Sequence, residues 1–144
     1  MNDFLANRIL VVPLLAWAVS QALKVLIDWW VDRRFDASHL GSAGGMPSSH
    51  SALVAAVTTA IGRQEGIGSP LFGAVVVFSV IVMYDAAGVR RTVGTHARVL
   101  NRLLDELLET HTLDEARLKE LVGHTPLQVG AGATLGIVLA LLFA

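Results

Sequence analysis

Apolar stretches approaching the roughly 20 residues needed to cross about 30 Å of hydrocarbon recur along the chain, and the short polar segments between them hold nearly all of the charge. The first block predicts a helix over 9–30, with Trp17, Trp29 and Trp30 as interfacial aromatics and Lys24 near its far end. Residues 31–46 read as a loop carrying Arg33, Arg34, Gly41, Gly44 and Gly45. Pro47-Ser48-Ser49 then reads as the start of a second helix over 49–61. That helix is short for a crossing. It either spans by including flanking residues or dips partway and is shielded by its neighbours.

After a turn over 62–69, a third helix rich in Val, Ile and Phe is expected over 70–87. Residues 90–123 are the one soluble-looking region. There Leu100, Leu103, Leu104, Leu107 and Leu108 keep helical spacing against Arg98, Arg102, Asp105 and Glu109, which predicts an amphipathic helix at the interface, with a further turn or two around 113–121. The last block, 126–144, is a Gly-rich apolar helix in which Gly130, Gly132 and Gly136 allow close packing. The expected fold class is an all-α membrane protein, a bundle of about four transmembrane helices plus an interfacial amphipathic helix. It forms one domain over 1–144, with the amphipathic insertion at about 92–122. The N-terminus is not expected to be a cleaved signal, because Asp3 precedes an apolar run from Ile9 long enough to remain as a helix.

Composition agrees with the pattern, since 53% hydrophobic residues, 16% charged residues and a mean hydropathy of +0.59 do not describe a soluble domain. Without cysteine there is no disulfide framework and no thiolate metal site. The net charge of -1 says little, but its distribution says more. Of the 11 Lys and Arg residues, eight (Arg33, Arg34, Arg90, Arg91, Arg98, Arg102, Arg117 and Lys119) fall in two polar segments. If four helices cross, those segments share one face and only Arg8 and Arg63 occupy the other. This is a topological signal rather than a nucleic-acid patch, and it predicts a bacterial inner-membrane protein with both termini outside and the basic segments in the cytoplasm.

Four polar groups fall at that same face: Lys24, the opening of the second helix at Gly44-Gly45-Met46-Pro47-Ser48-Ser49-His50, Arg90-Arg91 after the third helix, and Gly123-His124-Thr125-Pro126 before the last. Two helix N-termini, a lysine and arginines together suit a phosphate group. Two histidines beside them suit phosphoryl transfer, one imidazole attacking phosphorus while the other protonates the leaving oxygen. Fixed cations and N–H groups hold the other oxygens, so the chemistry needs no metal or other cofactor. Each piece also has a plainer reading. PSSH is a glycine-rich loop with a serine cap, His124 an interfacial histidine beside a threonine cap, Arg90 and Arg91 positive-inside anchors, and Lys24 a snorkelling side chain. Asp85, at the end of an apolar helix, calls for a partner, and Arg90 or Arg91 is close in sequence.

The segment GGMPSSHS resembles the P-S-G-H motif of the phosphatidic acid phosphatase type 2 superfamily, which is related to acid phosphatases and vanadium-dependent haloperoxidases; Ser49 stands where the pattern has Gly. GHTPLQVGAG resembles the H-x-P-x-D-V-x-x-G end of the third motif, and MYDAAGVRR, VLN and LKELVGHTP are similar to a divergent bacterial and plant branch. The resemblance implies His124 as the nucleophile, His50 as the general acid, Ser48 and Ser49 with Lys24 around the phosphate, and Arg90 or Arg91 as the motif arginine. There are departures. The K-x6-R-P motif is matched only at Lys24, the amphipathic segment separates the arginines from His124, and Gln128 occupies the place of the acidic residue that would support the nucleophile. His96, six residues after Arg90, is a rival nucleophile, but Leu100 replaces the acid and no Pro follows; His39 and His111 are expected to be solvated.

The resemblance implies a metal-independent phosphatase acting on a phosphorylated lipid or isoprenoid headgroup through a phosphohistidine. The alternative is a catalytically weak or inactive protein that binds phospholipid headgroups or assembles with partners. Membrane lipids are the expected surroundings, nucleic acid is not an expected partner, and homo-oligomers are left open.

Overall fold

The computed structural model describes residues 5–32, 45–107 and 124–144. The loop residues Arg33, Arg34, Gly41 and Gly44, the stretch 113–121 with Arg117 and Lys119, and His39 and His111 lie outside them. The described residues form five helices and no strand: α1 Arg8–Asp32, α2 Ser49–Gln64, α3 Pro70–Ala87, α4 Val89–Leu107 and α5 Pro126–Phe143.

Among the described residues three helices are long and apolar enough to cross a membrane: α1 over Arg8–Trp30, α3 at the start of the run Pro70–Leu104, and α5, whose most apolar 18-residue stretches have mean hydropathies of 1.9, 2.0 and 1.8. Little of this surface is covered by protein. Leu14 and Trp17 on α1, Phe78 and Ile81 on α3, and Val138 and Leu142 on α5 are all exposed, which in water would be prohibitive and in hydrocarbon is the expected arrangement. The chain is an integral membrane protein.

The shortest helix lies at the centre. With 16 residues, α2 covers about 24 Å, less than the hydrocarbon thickness. It packs on α5, α1 and α3 and buries residues around its circumference, including Ala52, Val54, Ala55, Ala56, Ala60 and Ile61. Its two threonines are satisfied by nearby acceptors. The Thr58 and Thr59 hydroxyls donate back to the carbonyls of Val54 and Ala55 (both 2.8 Å), and Thr58 Oγ1 pairs with Ser79 Oγ of α3 at 2.8 Å.

Small residues allow α5 to approach α2 closely. A Cβ on Gly132 would overlap the Ser48 carbonyl oxygen, and one on Gly136 the Ala52 carbonyl oxygen. The expectation for Gly130 is corrected: it is exposed, and among the described residues no atom beyond its own stretch of helix lies within 4 Å of where a Cβ would sit, because it lies on the side of α5 away from α2. The turn expected from residue 62 also begins later. Gly62 stays helical and makes room for the Phe72 ring, while Gly66, at φ +85°, supplies the left-handed turn position. Ser69 then caps α3 by accepting from Phe72 N at 3.1 Å.

Hydrogen bonds fix which ends lie together. Arg8 donates to the Phe143 carbonyl (3.5 Å) and Arg63 to that of Leu141, so the start of α1 and the end of α2 meet the C-terminus of α5. Both arginines sit where an α-helix exposes unpaired carbonyls and partial negative charge. The end of α1, the start of α2, the end of α3 and the start of α5 therefore gather at the opposite end of the bundle.

From that end α4 leaves directly. Gly88 N–H bonds the Tyr84 carbonyl (2.8 Å), and the Gly88 carbonyl accepts from Thr92 N (3.1 Å), so the chain passes from α3 into α4 with one turn residue between them. The amphipathic helix thus starts at Val89. Val93, Leu100 and Leu103 are exposed, as are Arg98 and Arg102, and among the described residues α4 touches α3 alone.

Candidate functional site

The polar groups singled out in the sequence converge at the α4 end of the bundle. Lys24 leaves α1 inward and is 1% exposed, so it does not snorkel. Its stem runs against Gly45, where a Cβ would come within 2.9 Å of Lys24 Cδ; at φ +92° this position also favours glycine conformationally. Among the described residues Asp28, one turn further along α1 and half-buried, is a charge that acts on Lys24. Asp28 was missed in the sequence, although its i, i+4 spacing was visible.

Next to Lys24 the chain passes through a cis Met46–Pro47 bond into Ser48, which is fully buried and is the N-cap of α2. Ser48 Oγ accepts from Ser51 Oγ (3.0 Å) and Ser51 N (3.4 Å), so what it offers a ligand is its own O–H. Ser48 N donates to the Gln128 carbonyl at 3.1 Å, joining the starts of α2 and α5. Ser49 is buried in the first turn of α2 and His50 follows, half-buried.

On the other side, His124 N–H donates to the Ala86 carbonyl (3.0 Å), tying the nucleophile candidate to the end of α3 beside half-buried Asp85. The His124 side chain is 1% exposed. Its ring centroid lies 6.5 Å from that of His50, with the planes tilted by 60°. Thr125 caps α5 in a capping box with Gln128: Gln128 N donates to Thr125 Oγ1 (3.3 Å), and Thr125 N donates to Gln128 Oε1 (2.9 Å). The same Oε1 lies 3.3 Å from His124 Nδ1. The T-x-x-Q signature of this box was legible in the sequence but not used there.

Lys24, Ser48, Ser49, His50, His124 and Gln128 are thereby brought together. Arg90 and Arg91 open α4 at the same end, and their side chains lie outside the described ones. His96 is exposed on α4, two turns from its start, while the close histidine pair is His50 with His124. Chemically, the site offers a buried cation, a hydroxyl, two helix N-termini and two imidazoles. Among the described residues no group of three or more His, Cys, Asp or Glu side chains is placed to hold a metal ion.

A family model described as "Divergent PAP2 family" matches residues 5–139. The chain belongs to this family. An "Uncharacterized membrane protein YuiD" from Bacillus subtilis (strain 168) is 39% identical over 155 residues, covering 99% of this chain and 97% of that protein. No solved structure matches. The divergent PAP2 assignment covers all the site residues named above, from Lys24 to Gln128.

Proposed function

We propose that this divergent PAP2 protein hydrolyses a phosphate ester of a lipid or isoprenoid headgroup through a phosphohistidine. The observation that carries the reading is the His50–His124 pair, 6.5 Å apart, at the joined starts of α2 and α5, with Lys24 buried against Gly45 just before α2. His124 attacks phosphorus, the P–O bond to the headgroup breaks, and His50 gives its proton to the departing oxygen. Water then attacks the phosphohistidine while His50 takes a proton from it, the P–N bond breaks and phosphate leaves. Lys24, the Ser48 hydroxyl, the N–H groups at Ser49 and Arg90 or Arg91 hold the phosphoryl oxygens. A second reading, headgroup binding without turnover, is favoured by one feature: the group facing His124 Nδ1 among the described residues is a neutral amide, which cannot balance the charge on an imidazolium.

Acid-labile phosphohistidine trapping on purified protein offered a panel of lipid phosphates separates the two. The expected result is a covalent signal that disappears in His124→Ala. Headgroup binding with no signal on any phosphate would leave the second reading.

We also propose that the site faces the cytoplasm, following the positive-inside distribution of Lys and Arg. Because the chain has no cysteine, single substitutions report cleanly. Ile67→Cys, at the end away from the site, should react with an impermeant thiol reagent in intact cells, and Val99→Cys on α4 only after lysis; both native side chains are exposed. The reverse pattern would overturn the orientation.

A further inference from the structure

We infer that Thr125 is a positioning residue: its backbone N–H fixes the direction of the Gln128 amide and thereby holds His124 as the tautomer protonated on Nδ1. The inference follows from what each group is able to donate. A backbone N–H only donates, so the Gln128 atom 2.9 Å from Thr125 N must be the amide oxygen. The same oxygen lies 3.3 Å from His124 Nδ1, and an oxygen acceptor there requires the proton on Nδ1. The lone pair of the neutral ring then resides on Nε2. On the phosphohistidine reading proposed above, Nε2 is the nitrogen that attacks.

The lock matters because residue 128 is an amide. A carboxylate presents oxygen whichever way it turns, whereas an amide has a donor end. If Gln128 turned over, its NH2 would face Nδ1, the proton would move to Nε2 and the attacking lone pair would be lost. Thr125 N–H opposes that turn, since it would then face a donor. The first turn of α5 keeps the Gln128 side chain within reach of both partners, and Gln128 N donates separately to Thr125 Oγ1 at 3.3 Å. A net hydrogen bond biases such an equilibrium by roughly two- to tenfold.

Two substitutions separate the role of the Thr125 N–H from that of its hydroxyl. At φ -74° and ψ 155° the position suits proline, so Thr125→Pro deletes both groups, while Thr125→Val deletes the hydroxyl alone. The readout is the ring ¹⁵N shifts of His124 in detergent-solubilised full-length protein, assigned by their loss in His124→Ala. The expected results are an Nδ1–H tautomer in the wild type and in Thr125→Val, which loses only helix-cap stability. Thr125→Pro should shift towards Nε2–H, and Thr125→Pro with Gln128→Glu should return to Nδ1–H. An Nε2–H ring in the wild type, or an unchanged tautomer in Thr125→Pro, would overturn the inference. If Thr125→Pro does not fold, Gln128→Leu decides: loss of the Nδ1–H bias supports the lock and its persistence refutes it. The measurement needs no substrate, so a chain that fails to form phosphohistidine can still carry the lock. Phosphohistidine at His124 of an Nε2–H ring would sink the lock alone.

Discussion

Gly132→Ala and Gly136→Ala are each expected to lower the thermal stability of the detergent-solubilised protein sharply, whereas Gly130→Ala leaves it unchanged or slightly raised. The first two positions face the backbone of α2. A methyl group at residue 132 would overlap the Ser48 carbonyl oxygen and come within 3.0 Å of Ser48 C and 3.1 Å of Ser48 N. At residue 136 it would overlap the Ala52 carbonyl oxygen and lie 3.0 Å from Ala56 N. No rotamer change relieves an overlap with backbone, so α5 must move off α2, at about 1–3 kcal/mol or more for each substitution. Among the described residues a methyl group at Gly130 meets no neighbouring element within 4 Å, and Ala in a helix interior is favoured over Gly by up to about 1 kcal/mol. The Gly132 variant should also disturb the site, because the atoms it displaces belong to Ser48. Melting curves followed by size-exclusion chromatography read all three. Equal melting of Gly130→Ala and Gly136→Ala would show that the α2–α5 approach is looser than described.

The helices were legible because membrane crossing imposes length and hydropathy directly on sequence: α3 begins at the expected Pro70, and α1 and α5 differ from expectation by two residues or fewer at either end. The centrality of α2 was only half legible, as its shortness pointed to shielding while its neighbours depended on tertiary packing. Which glycines of α5 face a helix needed the rotation of that helix about its axis, which an apolar sequence with no polar face does not encode; Gly130 was misplaced for this reason. At the site, residue types at helix ends located Lys24, Ser48, His50 and His124 along the chain. The inward direction of Lys24, its packing on Gly45 and the contact of His124 with the end of α3 join segments far apart in sequence. Asp28 and Thr125 were within reach, since an i, i+4 acid and a T-x-x-Q box are local patterns.

Gln128→Glu is expected to raise phosphatase turnover by about a factor of 10 or more, given what loss of the acidic partner costs in other histidine-dependent sites. Residue 128 sits one helical turn from His124, its side-chain oxygen 3.3 Å from Nδ1. As Nε2 forms its bond to phosphorus, positive charge develops on the ring, and a carboxylate at Oε1 stabilises that charge where an amide oxygen offers only its dipole. The substitution should be gentle on the fold. Glutamate is an ordinary partner in a capping box, so the bond from Thr125 N is retained, and a negative charge in the first turn of α5 is favourable with the helix dipole. Because the new interaction strengthens only as the ring becomes charged, the gain should appear in kcat with KM little changed. The fraction of protein trapped as phosphohistidine should rise as well, since the phosphorylated ring carries the same charge. Both effects should require both histidines, vanishing when His124→Ala or His50→Ala is added. Steady-state rates of the single and double variants on one lipid phosphate make the comparison. A rate unmoved by Gln128→Glu, or a gain that survives His124→Ala, would mean that His124 is not the attacking group and would bring His96, or headgroup binding without turnover, to the front.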